Sequence, residues 1–347
     1  MTMSSFQTIP VVDITHLGGT DTQKHEAVVD EIRKAAENVG FLTITGHGID
    51  PAIISELIAA TKAFFALPEA EKMKVYIGNS RNHRGYVPEG EEVFASGTKD
   101  KKEAFDVSID LPANDPDYLA GNPLLGPNQW PEGNPDFRRA VMTYYDAAFA
   151  LGGRMVQGFA EALGLAPDAL DRFFTKPPSQ LRLIHYPYDP NAPEDQPGIG
   201  AHTDYEAFTL LLPTAPGLEV MNGEGEWIDA SPVQGGLVIN IGDMLEVWSN
   251  GRFTATSHRV RKVKEERYSF PLFYSCDYWT VVEPLAPFVT PNSPRAYEAV
   301  TGGEHLHAQT VQTFTYLKAR LARGEVTLPE NSRSLSSYGQ EAKRKAS

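Results

Sequence analysis

The chain has 347 residues and a mass of 38.2 kDa, enough for one large domain or two small ones with a substantial core. Its 31 Lys and Arg against 45 Asp and Glu leave a net charge of −14, which repels polyphosphate and argues against a nucleic-acid partner. A single cysteine, Cys276, excludes an internal disulfide and a cysteine-rich zinc site, and it fits a reducing, cytoplasmic setting. The first residues lack the basic and apolar stretches of a secretory leader, and no run of about 18 apolar residues marks a membrane helix.

The first half reads as helices with short strands. Ile9 to Ile14 is an apolar strand. Over residues 22–39, Val28, Ile32, Ala35, Ala36 and Val39 share one helical face, and Gly40 follows as a stop signal. Phe41 to Thr45 is strand-like. Asp50-Pro51 is a cap for a helix striped by Ile54, Leu57, Ile58, Thr61, Phe64 and Phe65, which Pro68 ends or kinks. Residues 78–133 are rich in Gly, Pro, Asn and Asp and read as loops, with brief strands at Glu92–Phe94 and Ala104–Ile109. Asn134-Pro135 opens a long amphipathic helix that Gly164 stops and that Gly152-Gly153 are expected to bend.

From Leu181 the pattern turns β-rich. LRLIHYP, AFTLLLPT, LEVMN, EWIDAS, GGLVINIGDML, FTATSHRV and RYSFPLFYS are short and separated by turn residues such as Asn222-Gly223 and Ser249-Asn250-Gly251. That spacing predicts a sandwich or barrel, so the fold class is mainly β with packed helices. The basic run Arg259 to Arg267 contains Glu265 and Glu266 and alternates like a strand, which fits a solvated sheet face. Residues 295–323 read as helical again, ahead of a frayed tail.

Chemistry concentrates in three places. His202 and Asp204 lie two apart, so a strand would project both from one face. With His258, on a later strand, they would form a two-histidine, one-carboxylate triad that leaves three positions open on Fe(II). Arg267 and Ser269 repeat the two-residue spacing, and a guanidinium beside a hydroxyl suits a carboxylate.

The motifs HTD, SHRV and ERYSFPLFY resemble those of the iron(II)- and 2-oxoglutarate-dependent oxygenases of the isopenicillin N synthase-like family. IPVVDI, GFLTITGHGI, AFFALPEAEK and RGYVPEGEE follow that family's N-terminal order, and LRLIHYP, GLEV, EWIDASP, VINIGDMLEVWSNGRFTATSHRV and GEHL continue it, over roughly residues 9–320. The resemblance implies a double-stranded β-helix, or jelly roll, at 176–290. A helical N-terminal region over 1–175 and a C-terminal helix and tail over 291–347 would complete one integrated unit. It further implies His202, Asp204 and His258 as iron ligands, Arg267 and Ser269 as the anchor for 2-oxoglutarate, and Tyr186 as a further hydroxyl at that anchor. Activity would then be oxidation of a C–H bond in a small molecule, by hydroxylation or desaturation, with 2-oxoglutarate and O2 converted to succinate and CO2. A monomer acting without nucleic acid or membrane is expected.

Two alternatives stay open at this level: a related iron oxidase that does not use 2-oxoglutarate, and a non-catalytic jelly-roll binding protein. Arg267 and Ser269 imply a carboxylate, not which one. For the substrate pocket, Glu92 in GEEVF resembles a glutamate of the bacterial ethylene-forming enzyme that holds a cationic amino acid. Arg84, Phe94, Tyr205, Trp248 and Phe273 are further pocket candidates, and thymine-hydroxylase-like members resemble the chain equally well. The other histidines read as bland: His47 at a turn, His185 in the core, His16 and His25 at the surface. His305 and His307, two apart on a helix, face different ways.

Overall fold

A computed structural model describes residues 5–93, 102–188, 191, 198–261 and 265–329. The strands are β1 Val11–Asp13, β2 Phe41–Thr45, β3 Gly85–Val87, β4 Glu103–Val107, β5 Gln180–Tyr186, β6 Ile199–His202 and β7 Phe208–Pro213. Next come β8 Leu218–Met221, β9 Trp227–Asp229, β10 Leu237–Ile241, β11 His258–Val260, β12 Arg267–Tyr274, β13 Val281–Val282 and β14 Val300–Thr301. The helices are α1 Thr22–Asn38, α2 Pro51–Phe65, the short α3 Glu69–Lys72 and α4 Pro116–Leu119, α5 Pro135–Ala162, α6 Asp243–Trp248, α7 Gly302–Thr313 and α8 Thr315–Ala322. Asp50 and Asn134 cap α2 and α5 as their sequences predict, each accepting a hydrogen bond from a first-turn amide.

Two sheets build the core. The larger runs β1-β2-β10-β7-β12-β5-β4-β3, and the smaller runs β6-β11-β8-β9. Strands from the N-terminal region thus flank both sides of the later strands in one sheet.

Period-two alternation sorts the large sheet into two chemistries. Leu181 and Leu183 of β5, Phe208, Leu210 and Leu212 of β7, and Tyr268, Phe270, Leu272 and Tyr274 of β12 pack with α1, α2 and α5 in the main core. The alternate residues, Arg182, Thr209, Arg267, Ser269 and Phe273, face the other way, toward the small sheet. Slipping β5 or β12 by one residue would bury an arginine under the helices, at a cost of several kcal/mol, so their register is firmly set.

Four expectations change. Gly152 and Gly153 do not interrupt α5, which runs unbroken for 28 residues. A Cβ on Gly152 would lie 2.1 Å from Cε2 of Tyr274, so the glycine admits a close helix-to-sheet approach. GGLVINIGDML is not one strand: it breaks at Gly242 and continues as α6. Residues 295–301 are not helical, and β14 precedes α7. Glu92 forms only an isolated bridge to Phe314, and Phe94 lies outside the described residues. In the described part of the basic run, Arg259 donates to Glu219 at 2.7 Å and Arg261 to Asp229 at 2.9 Å, as on a solvated face, whereas Arg267 is buried; residues 262–264 lie outside the described residues.

Candidate active site

The small sheet brings two histidines together. His258 on β11 is the antiparallel partner of His202, the last residue of β6. Asp204 follows beyond the end of that strand, in irregular backbone, so alternation alone does not aim it. What aims it is the large sheet. Thr209 Oγ1 and Asn240 Nδ2 both donate to Asp204 Oδ2, at 2.5 and 2.7 Å, and Thr209 and Asn240 are cross-strand partners of β7 and β10. The other oxygen, Oδ1, is left 3.5 Å from His202 Nε2 and 3.6 Å from His258 Nε2. One ligand atom from each of the three residues lies within 4.8 Å of the others.

The tautomers are fixed from behind. His202 Nδ1 donates to the Gly200 carbonyl at 2.8 Å, and His258 Nδ1 to the Thr256 carbonyl at 3.2 Å. Each Nε2 is therefore the nitrogen presented to Asp204, which is the arrangement metal-ligating imidazoles adopt. Burial and the neighbouring His202 push His258 down to about 4, so it is neutral at pH 7, the form a metal requires. Burial would raise Asp204, but His258, His202 and the Thr209 hydroxyl outweigh it and hold the carboxyl far below the usual carboxylate range.

The large sheet also carries the residues expected to anchor a carboxylate. Arg267 and Ser269 are buried neighbours on the inward face of β12, and Tyr186 of β5 is the cross-strand partner of Arg267. The guanidinium stacks over the Tyr186 ring at 4.9 Å, and its Nε donates to the Ala215 carbonyl at 3.2 Å. Nη1 is buried with no hydrogen-bond partner among the described residues. A buried, uncompensated guanidinium nitrogen costs about 1–3 kcal/mol or more, and an anion there would recover it.

Comparison with known proteins agrees with this geometry. The profile of the N-terminal region of the non-haem dioxygenase in morphine synthesis matches residues 9–133, and that of the 2OG-Fe(II) oxygenase superfamily matches residues 177–276. The chain is 35% identical to a homoarginine-6-hydroxylase of Oryza sativa subsp. japonica over 326 residues, 90% of this chain and 99% of the relative. The chain belongs to the 2OG-Fe(II) oxygenase superfamily. Among solved structures, a 2OG-Fe(II) oxygenase family protein from Caulobacter crescentus superposes with a TM-score of 0.76 at 31% identity, covering 92% of this chain and 99% of that one. The full-length Neurospora crassa thymine hydroxylase in complex with alpha-KG gives 0.74 at 26%, covering 92% and 98%. The fold is accordingly the jelly roll of these oxygenases, and the protein is an Fe(II)- and 2-oxoglutarate-dependent oxidoreductase. Its residues fit both groups: a His, Asp, His donor set with oriented nitrogens, and a buried guanidinium still short of a partner.

The oxygenase has a cavity beside the triad, lined by His202 and Asp204 together with Glu92, Tyr205 and Phe273 from the pocket candidates. Glu92 is not a solvated glutamate. It is 4% exposed, paired through Oε1 with Arg182 Nη1 and through Oε2 with Lys102 Nζ at 2.6 Å. Arg182 in turn makes a fork to Asp106, with Nε and Nη2 each 2.7 Å from a carboxylate oxygen. Burial would raise Glu92, yet Arg182 and Lys102 hold it down at about 2. A substrate cation would therefore meet a carboxylate whose two oxygens are already neutralised.

Two candidates do not reach the cavity. Arg84 is 1% exposed and donates to the carbonyls of His83 and Leu124, so it braces loops instead. Trp248 rides α6 behind the sheet, stacked on Phe173 at 5.1 Å and edge-on to Phe174 at 5.8 Å. His185 is satisfied by Glu103 and Glu266 away from the triad, and His47 caps its own turn through the Ile49 amide.

Several lining residues escaped the sequence reading. His83 enters the cavity because its backbone turns to φ 61°, held by a 2.6 Å hydrogen bond between Nδ1 and the Tyr316 hydroxyl. Glu206 lines it too, its carboxyl pushed up to about 8 by burial and by Asp204 and Asp243. Gln309, Thr310, Thr313 and Phe314 come from α7 and its end. Arg182 and Asn240 did carry a signal: a polar residue alternating with leucine, isoleucine or valine in a central strand.

Proposed function

We propose that this oxygenase hydroxylates or desaturates an aliphatic C–H bond of a small, nitrogen-bearing molecule. The observation that carries the reading is the cavity wall beside His202 and Asp204. There Arg182, Glu92 and Lys102, in an ion network completed by Asp106, line the cavity together with the polar Glu206 and Gln309 and the aromatic Phe273 and Phe314. Such a wall suits a compact polar solute with some apolar surface better than a long hydrocarbon. Two relatives point the same way by name: a homoarginine hydroxylase, and a thymine hydroxylase crystallised with thymine.

When bound, Fe(II) with 2-oxoglutarate and O2 supplies the oxidant, and 2-oxoglutarate leaves as succinate and CO2. The chain's own part is positioning. His202 Nε2, Asp204 Oδ1 and His258 Nε2 would hold the ion, with Thr209 and Asn240 keeping the carboxylate turned toward it. Arg267, Ser269 and Tyr186 would hold the far carboxylate of 2-oxoglutarate, with Arg267 Nη1 as the donor that lacks another partner among the described residues. Tyr205, Phe273 and Phe314 would exclude water from the side on which substrate enters.

The division at 175/176 and 290/291 is one of chain order within a single unit, a reading supported by the interleaving of early and late strands in the large sheet. A cytoplasmic monomer is the reading the lone Cys276 and the family resemblance favour, and the net charge of −14 argues against a nucleic-acid partner. Among the described residues no single helix is long and apolar enough to cross a membrane.

The test is stoichiometry. Anaerobic protein loaded with Fe(II) and 2-oxoglutarate is exposed to O2 with a panel of small amines, amides and amino acids, and succinate and oxidised product are counted by mass spectrometry. One compound that yields succinate and a product heavier by one oxygen, or lighter by two hydrogens, in equal amounts supports the proposal. Succinate that no nitrogen-bearing compound increases, alongside one that an apolar compound does increase, overturns the substrate class.

A further inference from the structure

Among the described residues that line the cavity, one side chain has both of its polar atoms buried without a hydrogen-bond partner. Gln309 on α7 is 0% exposed, yet neither its amide oxygen nor its amide nitrogen has a partner among the described residues. It lines the same cavity as His202, Asp204 and Phe273. Its neighbours on the helix behave differently. Thr310 and Thr313 also line the cavity, but their hydroxyls donate to the carbonyls of Leu306 and Gln309, at 2.8 and 2.9 Å. Gln312 spends its amide nitrogen on the Ala308 carbonyl at 3.1 Å. Buried side-chain amides are overwhelmingly satisfied, so a fully unpaired one facing a ligand cavity marks where a ligand completes the bonding.

We propose that Gln309 is a specificity-determining residue that reads a planar group carrying an N–H beside a C=O, as in a ureide, lactam or carboxamide. The assignment rests on the cavity being the substrate pocket. Oε1 accepts from the ligand N–H while Nε2 donates to the ligand C=O, and both orphan atoms are then satisfied together. A guanidinium brings donors only and leaves Nε2 unmet; a carboxylate brings acceptors only and leaves Oε1 unmet. Glu92 does not rescue a guanidinium, since Arg182 and Lys102 already neutralise its charge. Gln309 therefore separates the two substrate chemistries that the relatives' names offer, favouring the lactam over the guanidinium.

The experiment measures binding to the anaerobic enzyme loaded with Fe(II) and 2-oxoglutarate, by calorimetry. The probes are thymine (a lactam), homocitrulline (a ureide) and homoarginine, which differs from homocitrulline only at the guanidinium. Wild type should bind thymine or homocitrulline at least tenfold tighter than homoarginine. Gln309→Leu should erase that preference, and Gln309→Glu should reverse it toward homoarginine. Gln309→Leu should also leave the thermal transition of the metal-free protein unchanged or raised, because it removes two unpaired polar atoms; a clear loss would show a structural role and overturn the proposal. Tighter binding of homoarginine by wild type, binding of none of the three, or a preference that survives Gln309→Leu would overturn it as well. Succinate release on admitting O2 is scored separately: binding as expected with no succinate faults the oxygenase reading and leaves Gln309's role standing.

Discussion

Asp204, a candidate iron ligand, is oriented by hydrogen bonds from the opposite sheet, and Asn240→Leu tests that dependence. Leucine has nearly the shape of asparagine, and the inward neighbour two residues away, Val238, is itself apolar and buried, so β10 should tolerate it. What disappears is the 2.7 Å donation to Asp204 Oδ2. A hydrogen bond to a charged acceptor is worth about 1.5–3 kcal/mol, or roughly 10- to 150-fold, and loss of a metal's outer partners costs about 10–100-fold in affinity. We expect Fe(II) binding weaker by about 10–100-fold. Thr209→Val removes the other donor and should cost a similar factor, while the double variant should lose less than the sum, because both donors restrain one oxygen. The assay is anaerobic Fe(II) titration in excess 2-oxoglutarate, followed by the visible absorption of the chelated keto acid. Wild-type affinity in folded Asn240→Leu would refute the view that the large sheet orients Asp204.

Three further outcomes follow from the same structure. Arg267→Ala should raise the 2-oxoglutarate concentration needed for half-saturation by at least about 30-fold, the low end for losing a buried charge pair, while Fe(II) still binds; unchanged 2-oxoglutarate affinity would place the anchor elsewhere. Glu92 is held at about 2 against an ordinary 4.5, so its contribution to stability is complete above pH 4.5 and fades as the pH falls toward 2. Urea midpoints measured across that window should therefore fall less steeply for Glu92→Gln than for wild type, and parallel curves would count against the ion network. Gly152→Ala gains helix propensity of about 1 kcal/mol but drives a methyl into Tyr274, an overpacking cost of about 1–3 kcal/mol; calorimetry should show a lower Tm, and a higher one would mean the contact relaxes freely.

The motifs made the candidate triad and the candidate anchor legible because strand alternation converts spacing directly into facing. Arg267 and Ser269 obey that rule on β12. His202 and Asp204 obey it only in outcome, since Asp204 lies past the strand and is aimed by Thr209 and Asn240. Trp248 was misread for a local reason: Gly242 ends the strand, and the next turn is helical, carrying the indole behind the sheet into the Phe173 and Phe174 stack. Arg84 was misread because an arginine in a loop looks available, whereas carbonyls enclose this one. Gln309 and Lys102 left no sequence signal at all. Which face of α7 meets the cavity is set by the docking of a late helix against residues more than 200 positions away: Val93 donates to the Thr313 carbonyl, and the Thr315 amide to the Glu91 carbonyl.

The most direct test of the central claim, that His202, Asp204 and His258 form the iron site and Arg267 the 2-oxoglutarate anchor, is the anaerobic absorption of the protein mixed with Fe(II) and 2-oxoglutarate. The wild-type protein should develop the visible band of an iron-chelated keto acid at one equivalent of iron; His258→Ala should lack it, and Arg267→Ala should recover it only at much higher 2-oxoglutarate. An undiminished band in His258→Ala would contradict the account.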